Sequence, residues 1–140
     1  LTLDDLDHSV KLPENLANKP HLSEYYGRVD FAVRAYFVGT MGWFDGNPTS
    51  LSSLSPRDEA ERFIKVAGGP DKVKNEVNKA RSKGDYQWAL QLIDRLIYST
   101  EDTNDLDKLK AKILRQHAVS QINCPTRHYY IQYAKELENK

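Results

Sequence analysis

Cys124 is followed by Pro125, and His128 stands four residues on, about one helical turn from the thiol. A thiol and an imidazole at that spacing could form a cysteine nucleophile, because the imidazole can draw the sulfur toward thiolate. The plainer alternative is a lone cysteine acting as a small apolar residue at a helix start, and it is far commoner. A metal reading would bring His117 and His128 together across a helical hairpin with Cys124 in the connection. Yet none of His8, His21, His117 and His128 lies three or four residues from another, whereas zinc sites normally draw His or Cys from short spacings. Gly68-Gly69-Pro70 lacks the Lys-Ser/Thr ending of a phosphate loop and fits a helix break. The Asp and Glu residues are spread along faces that should be solvated. No catalytic residue, metal ligand or cofactor is expected within the chain.

What the chain has instead is aromatics. Tyr25, Tyr26, Phe31, Tyr36, Phe37, Trp43 and Phe44 fall within a short stretch that ends in Gly42-Trp43-Phe44-Asp45-Gly46-Asn47-Pro48. Core packing is the plain reading of such a cluster. The functional one is a surface for a partner subunit or the mouth of an apolar pocket, since aromatics are enriched at interface hot spots.

The elements that position these residues read as helices throughout. A short helical lead-in starts near Leu6, favoured by Asp4 and Asp5, and a second starts at Leu12-Pro13-Glu14-Asn15. Ser23 and Glu24 predict a helix over Ser23–Met41, capped by the serine hydroxyl. That helix is apolar on most sides, so it should be buried on most sides, as a central helix or against a partner. The Trp43–Pro48 corner stops it, and a Ser/Leu-rich connector runs from Thr49 to Ser55. Pro56, Pro70 and Gly84 then mark successive helix boundaries. Trp88, Ala89, Leu92, Ile93, Leu96 and Ile97 form one apolar stripe, and Leu106, Leu109, Ile113 and Leu114 form another after a polar break at Thr100–Asn104. A last helix begins near Pro125. No segment alternates with period two, so the fold class is all-α, a compact multi-helix bundle. The run from Ala80 through Gly84-Asp85-Tyr86 to Ala89, followed by a second amphipathic helix, resembles one tetratricopeptide unit. Too few units fit for a solenoid, so a helical hairpin of that type is expected in the C-terminal half of the bundle.

Composition narrows the partners. Twenty basic and twenty acidic residues in a chain of 140 cancel, so no net field attracts nucleic acid or an anionic membrane surface. No apolar run approaches the roughly 20 residues that span a bilayer, and no basic start followed by an apolar stretch marks a signal peptide. A chain of this length suits one domain, with a core that needs no disulfide. Cys124 alone could not form an internal one.

The order Tyr25-Tyr26-Gly27, Val29, Val33-Arg34-Ala35, then Met41-Gly42-Trp43-Phe44-Asp45-Gly46-Asn47-Pro48 resembles the dimerisation domain of the alkylsulfatases, metallo-β-lactamase-fold hydrolases of alkyl sulfate esters. The likeness continues through Leu54, Pro56, Glu59-Ala60, Ala67-Gly68-Gly69, Gly84-Asp85-Tyr86-Gln87-Trp88-Ala89 and Leu92. It ends in Arg127, Tyr130, Ala134 and Glu136-Leu137, and so covers most of the chain from about Leu12.

The resemblance implies a single helical dimerisation domain over residues 1–140, with residues 1–22 as a lead-in from an upstream catalytic domain. It implies a homodimer, with Tyr25, Tyr26, Phe31, Tyr36, Phe37, Trp43 and Phe44 as candidate interface residues. Two zinc ions belong to the upstream domain, whose His-x-His-x-Asp-His motif this chain lacks, so the chain alone should have no sulfatase activity. The domain also closes over part of the active site in the family, where the substrate is an alkyl sulfate or related ester. Thr40 stands where family members often carry a tyrosine near the sulfate end of the substrate, which makes Thr40 the candidate pocket-edge residue. Asp30-Phe31-Ala32 replaces a frequent Ser-His-Asn. The likeness thus carries the association role further than it carries the substrate.

Two other classes compete. A tetratricopeptide-like adaptor would be a monomer gripping a peptide along Gly84–Leu114. A free-standing enzyme would use Cys124 with His128 and would show a reactive thiol.

Overall fold

The computed structural model describes residues 2–140, the side chains of Asp4 and Asp7 excepted. Every regular element among them is helical: α1 (Leu3–Ser9), α2 (Glu14–Ala17), α3 (Val29–Met41), α4 (Pro56–Val66), α5 (Pro70–Ser82), α6 (Tyr86–Tyr98), α7 (Asn104–Val119) and α8 (Cys124–Glu138), with 3-10 turns at Pro20–Leu22 and Pro48–Ser52. The chain divides into two compact units. One runs to Ser53 and also takes in Ile122–Cys124; the other comprises Leu54–Gln121 and Pro125–Lys140.

The C-terminal unit has the core. The serine hydroxyl of Ser55 accepts from the Asp58 amide at 3.1 Å and Pro56 occupies the first turn, so α4 starts where its local chemistry dictates. Asp85 does the same for α6, accepting from the Trp88 amide at 3.3 Å. Between α5 and α6 the chain reverses at Gly84, whose φ of 78° is left-handed and costs a side-chain-bearing residue about 1–2 kcal/mol. Helix α6 packs against α4, α5 and α7. Its stripe is the centre of the core: Ala89, Leu92, Ile93 and Leu96 are buried among Ile64, Val73, Val77, Ala80, Ala111, Ile113, Leu114, Ala134 and Leu137. Burying a side chain such as Ile93 contributes about 1.5–3 kcal/mol relative to leaving it in water.

Ion pairs tie the same helices together at their edges. Arg95 meets Glu59 at 3.0 Å, Lys110 meets Asp94 at 2.6 Å, and Arg115 grips Glu138 through two hydrogen bonds of 2.7 and 2.6 Å. That grip raises the Arg115 pKa and holds the Glu138 carboxyl below its ordinary range. Both groups lie in water, so the pair sets geometry more than stability.

In the N-terminal unit α1 packs against α3. Helix α1 opens at Leu3 rather than near Leu6, because Thr2 and Asp5 form a capping box. The Asp5 amide donates to Thr2 Oγ1 at 3.2 Å, and the Thr2 amide donates to Asp5 Oδ2 at 2.8 Å. The expected contribution of the Asp4 side chain lies outside the described residues. Helix α3 also starts elsewhere than its sequence suggests, at Val29 instead of Ser23. Ser23 caps nothing there. Instead the Glu24 carboxylate reaches five residues forward and accepts from the Val29 amide at 2.7 Å, so the stretch between them stays irregular.

Candidate association surface

Helix α3 ends as its sequence requires. Gly42 closes it with φ of 85°, and its amide donates to the Val38 carbonyl at 3.1 Å. The corner that follows is held by side chains folding back on their own backbone. Asp45 accepts from the Asn47 amide at 2.8 Å and from the Ser50 hydroxyl at 2.7 Å, and Asn47 accepts from the Thr49 amide at 3.2 Å. The Ser50 and Asn47 hydrogen bonds hold the Asp45 carboxyl below its ordinary pKa. At the other end of α3, Arg28 pairs with Asp30 and lies over the Phe31 ring, 4.3 Å from its centroid. Burial pushes the Asp30 pKa up, but the Arg28 hydrogen bond and charge and the Phe31 amide outweigh it, and the net shift is downward.

The α3 side chains are where the surface becomes unusual. At 100° per residue, Val29, Val33, Phe37 and Asp30 share one side of the helix, and these are the half-buried ones. The remaining arc carries Met41, Val38, Phe31, Ala35, Gly39, Ala32 and Tyr36, and all of these are exposed. No residue of α3 is buried. Tyr36 is 76% exposed, Met41 69% and Trp43 72%. Tyr26 is exposed too, Tyr25 and Phe31 are about half exposed, and Phe44 leans edge-on to Trp43 with ring centroids 5.8 Å apart. A helix this apolar would ordinarily cover its faces. Thr40 is exposed in the last turn of α3, next to this surface.

The chemistry candidates fare differently. His117 is stacked against Tyr130 and tilted against Tyr86, with centroids 5.0 and 5.8 Å away, in the C-terminal unit. No group of three His, Cys, Asp or Glu side chains among the described residues is placed to hold a metal ion. The Cys124 amide donates to the Tyr25 carbonyl at 2.6 Å, and beside it Asn123 donates to the carbonyls of Glu24 and Tyr26. Asn123 carries no mark in the sequence beyond standing before a helix start, where it reads as an ordinary local cap. No helix among the described residues is long and apolar enough to cross a membrane.

Comparison with known proteins gives these features a setting. A family model described as alkyl sulfatase dimerisation matches residues 2–140. The chain is 40% identical over 141 residues to a linear primary-alkylsulfatase of Pseudomonas sp., covering 100% of this chain and 27% of that protein. It is 34% identical over 140 residues to an (R)-specific secondary-alkylsulfatase of Pseudomonas sp., covering 99% and 21%. The solved structure of the stereoselective inverting sec-alkylsulfatase Pisa1 from Pseudomonas sp. matches with a TM-score of 0.87 at 34% identity, over 98% of this chain and 22% of that one. The chain therefore spans about a quarter or less of the length of the relatives it matches. A match this long, on both sequence and fold, places it: the chain belongs to the alkyl sulfatase dimerisation family.

Proposed function

We propose that this chain is the association module of an alkylsulfatase-like zinc hydrolase, holding two subunits together as a homodimer and helping to close the active site of a metallo-β-lactamase-fold domain. The observation that carries the reading is α3: a helix with apolar residues around most of its circumference and none of them buried. Contiguous apolar surface of that kind marks an interaction site on a folded protein. A second copy is the occupant that membership of a dimerisation family favours. Tyr25, Tyr26, Phe31, Tyr36, Phe37, Trp43 and Phe44 supply the anchors, and the hydrogen-bonded corner at Asp45–Ser50 fixes where Trp43 and Phe44 point.

The chemistry belongs to the other domain. On this reading the two zinc ions are held by that domain of the parent protein. Thr40 would stand at the edge of that pocket, and an alkyl sulfate or related ester is the substrate class the relatives suggest. Sedimentation velocity over a wide concentration range tests the core of the reading. A dimer is expected; a strict monomer throughout sinks it.

One observation favours a second reading. Phe63, Trp88 and Tyr98 line a groove of about 540 Å³ on α4 and α6, with Glu59 and Arg95 at its edge. A monomeric tetratricopeptide-like adaptor gripping a peptide along Gly84–Leu114 would use the α6 side of this groove, Trp88 and Tyr98. Quenching or blue-shift of Trp88 fluorescence on adding peptide, without any change in mass of the free chain, would favour it.

A further inference from the structure

Three consecutive backbone carbonyls of the irregular stretch before α3 are taken up by two residues nearly a hundred positions away. The Asn123 side-chain amide donates to the Glu24 carbonyl at 2.9 Å and to the Tyr26 carbonyl at 2.9 Å. The Cys124 amide donates to the Tyr25 carbonyl between them at 2.6 Å. Asn123 is 3% exposed, and it is the one buried residue among the described residues of the N-terminal unit. Among its described residues the unit buries an amide and no apolar side chain. Both donors of that amide point at main chain, which makes it a constraint on backbone shape and not a packing contact.

The consequence reaches α3 directly. Glu24 has its carbonyl held by Asn123 while its carboxylate accepts from the Val29 amide at 2.7 Å, so one residue joins the clamp to the first turn of α3. Tyr25 and Tyr26, both exposed, sit on the clamped backbone itself. We propose that Asn123 is a positioning residue for the association surface: its amide fixes the Glu24–Tyr26 backbone, and through Glu24 it sets where α3 begins and how the aromatics are presented. This rests on the association reading above. It assigns to the α7–α8 connector a role in assembly that its own sequence does not announce.

Asn123→Asp is the informative variant. An ionised carboxylate has no donor and faces carbonyl oxygens, whereas a protonated one regains a single donor. The variant and the natural chain are compared at about pH 8 and about pH 5 by amide hydrogen exchange and sedimentation. At the higher pH the variant should exchange about tenfold faster over residues 25–32 than the natural chain, with Leu92–Leu96 unchanged, and should dimerise about tenfold more weakly. Both defects should shrink at the lower pH relative to the natural chain at the same pH. Protection lost equally in both units would mark Asn123 as a general stability residue and overturn the proposal. A natural dimer left unaffected by the substitution would overturn the positioning role alone. A natural chain that is monomeric at every concentration would overturn the association reading and this role with it.

Discussion

The imidazole of His117 lies nearly parallel to the ring of Tyr130, their centroids 5.0 Å apart and their planes at 26°. Tyr86 is tilted against the same imidazole at 5.8 Å, and Gln121 Nε2 lies 3.5 Å from its Nδ1. Burial penalises the imidazolium and lowers the His117 pKa below its ordinary value. The unfolded chain then holds more protons than the folded one as pH drops below about 6.5, so stability falls with falling pH over that range and levels off below the folded pKa. His117→Phe should keep the ring stack and flatten the dependence. Thermal melts between about pH 7.5 and pH 5 measure it, and an unchanged slope would refute the assignment.

Phe31 is half exposed, with Arg28 over its ring. Phe31→Asp should leave the melting temperature almost unchanged at a concentration below dimerisation, because exposed substitutions commonly fall within about 0.5 kcal/mol. The dimer dissociation constant should rise at least about tenfold, the scale of an interface anchor. Phe37→Asp is a poorer probe, since its half-buried ring would report folding as well. Equal self-association of Phe31→Asp and natural chains would remove Phe31 from the interface.

Gly39 sits inside α3 with open space where a Cβ would go. For a free helix, Gly39→Ala should stabilise by about 1 kcal/mol. If a partner backbone approaches there, the same methyl should weaken dimerisation while still raising the stability of the monomer. We expect these opposite signs, read by sedimentation and by denaturant melts at a concentration below dimerisation. A methyl that strengthens both would place the partner elsewhere on α3.

Ile93 is fully buried at the centre of the α6 stripe. Ile93→Ala should cost about 2–5 kcal/mol by loss of apolar contact and cavity formation. Urea unfolding followed at Trp88, in a Trp43→Phe background, checks it; a loss below about 1 kcal/mol would mean that the site collapses around the smaller side chain.

Most of the helical skeleton was legible because its signals are local. Ser55 before Pro56, Pro70 after two glycines, Asp85 after Gly84 and Pro125 near a helix start each act within a turn, and each helix begins there. The apolar stripe of α6 named its own core for the same reason. The start of α3 was not legible. Ser23 and Glu24 look like a cap and a first-turn acid, but the carbonyls of residues 24–26 are committed to Asn123 and Cys124, and no nearby residue hints at that. Likewise the Thr2–Asp5 capping box moved α1 earlier than its acidic residues alone implied. The apolar character of α3 was plain in the sequence, but which of its faces the chain itself covers depends on packing that composition cannot specify.

All the fully buried apolar side chains among the described residues, from Ala60 to Leu137, belong to the C-terminal unit. Tolerance to substitution should therefore divide along the chain. In the C-terminal unit, changes are filtered at folding, and the losses register as less native protein. Upstream of Leu54, the exposed aromatics can be exchanged with little effect on how much chain folds, so selection on their identity acts mainly through the surfaces they meet. A substitution scan of the isolated chain scored for abundance would find Tyr36 and Trp43 almost neutral. The same scan scored for assembly would find them constrained.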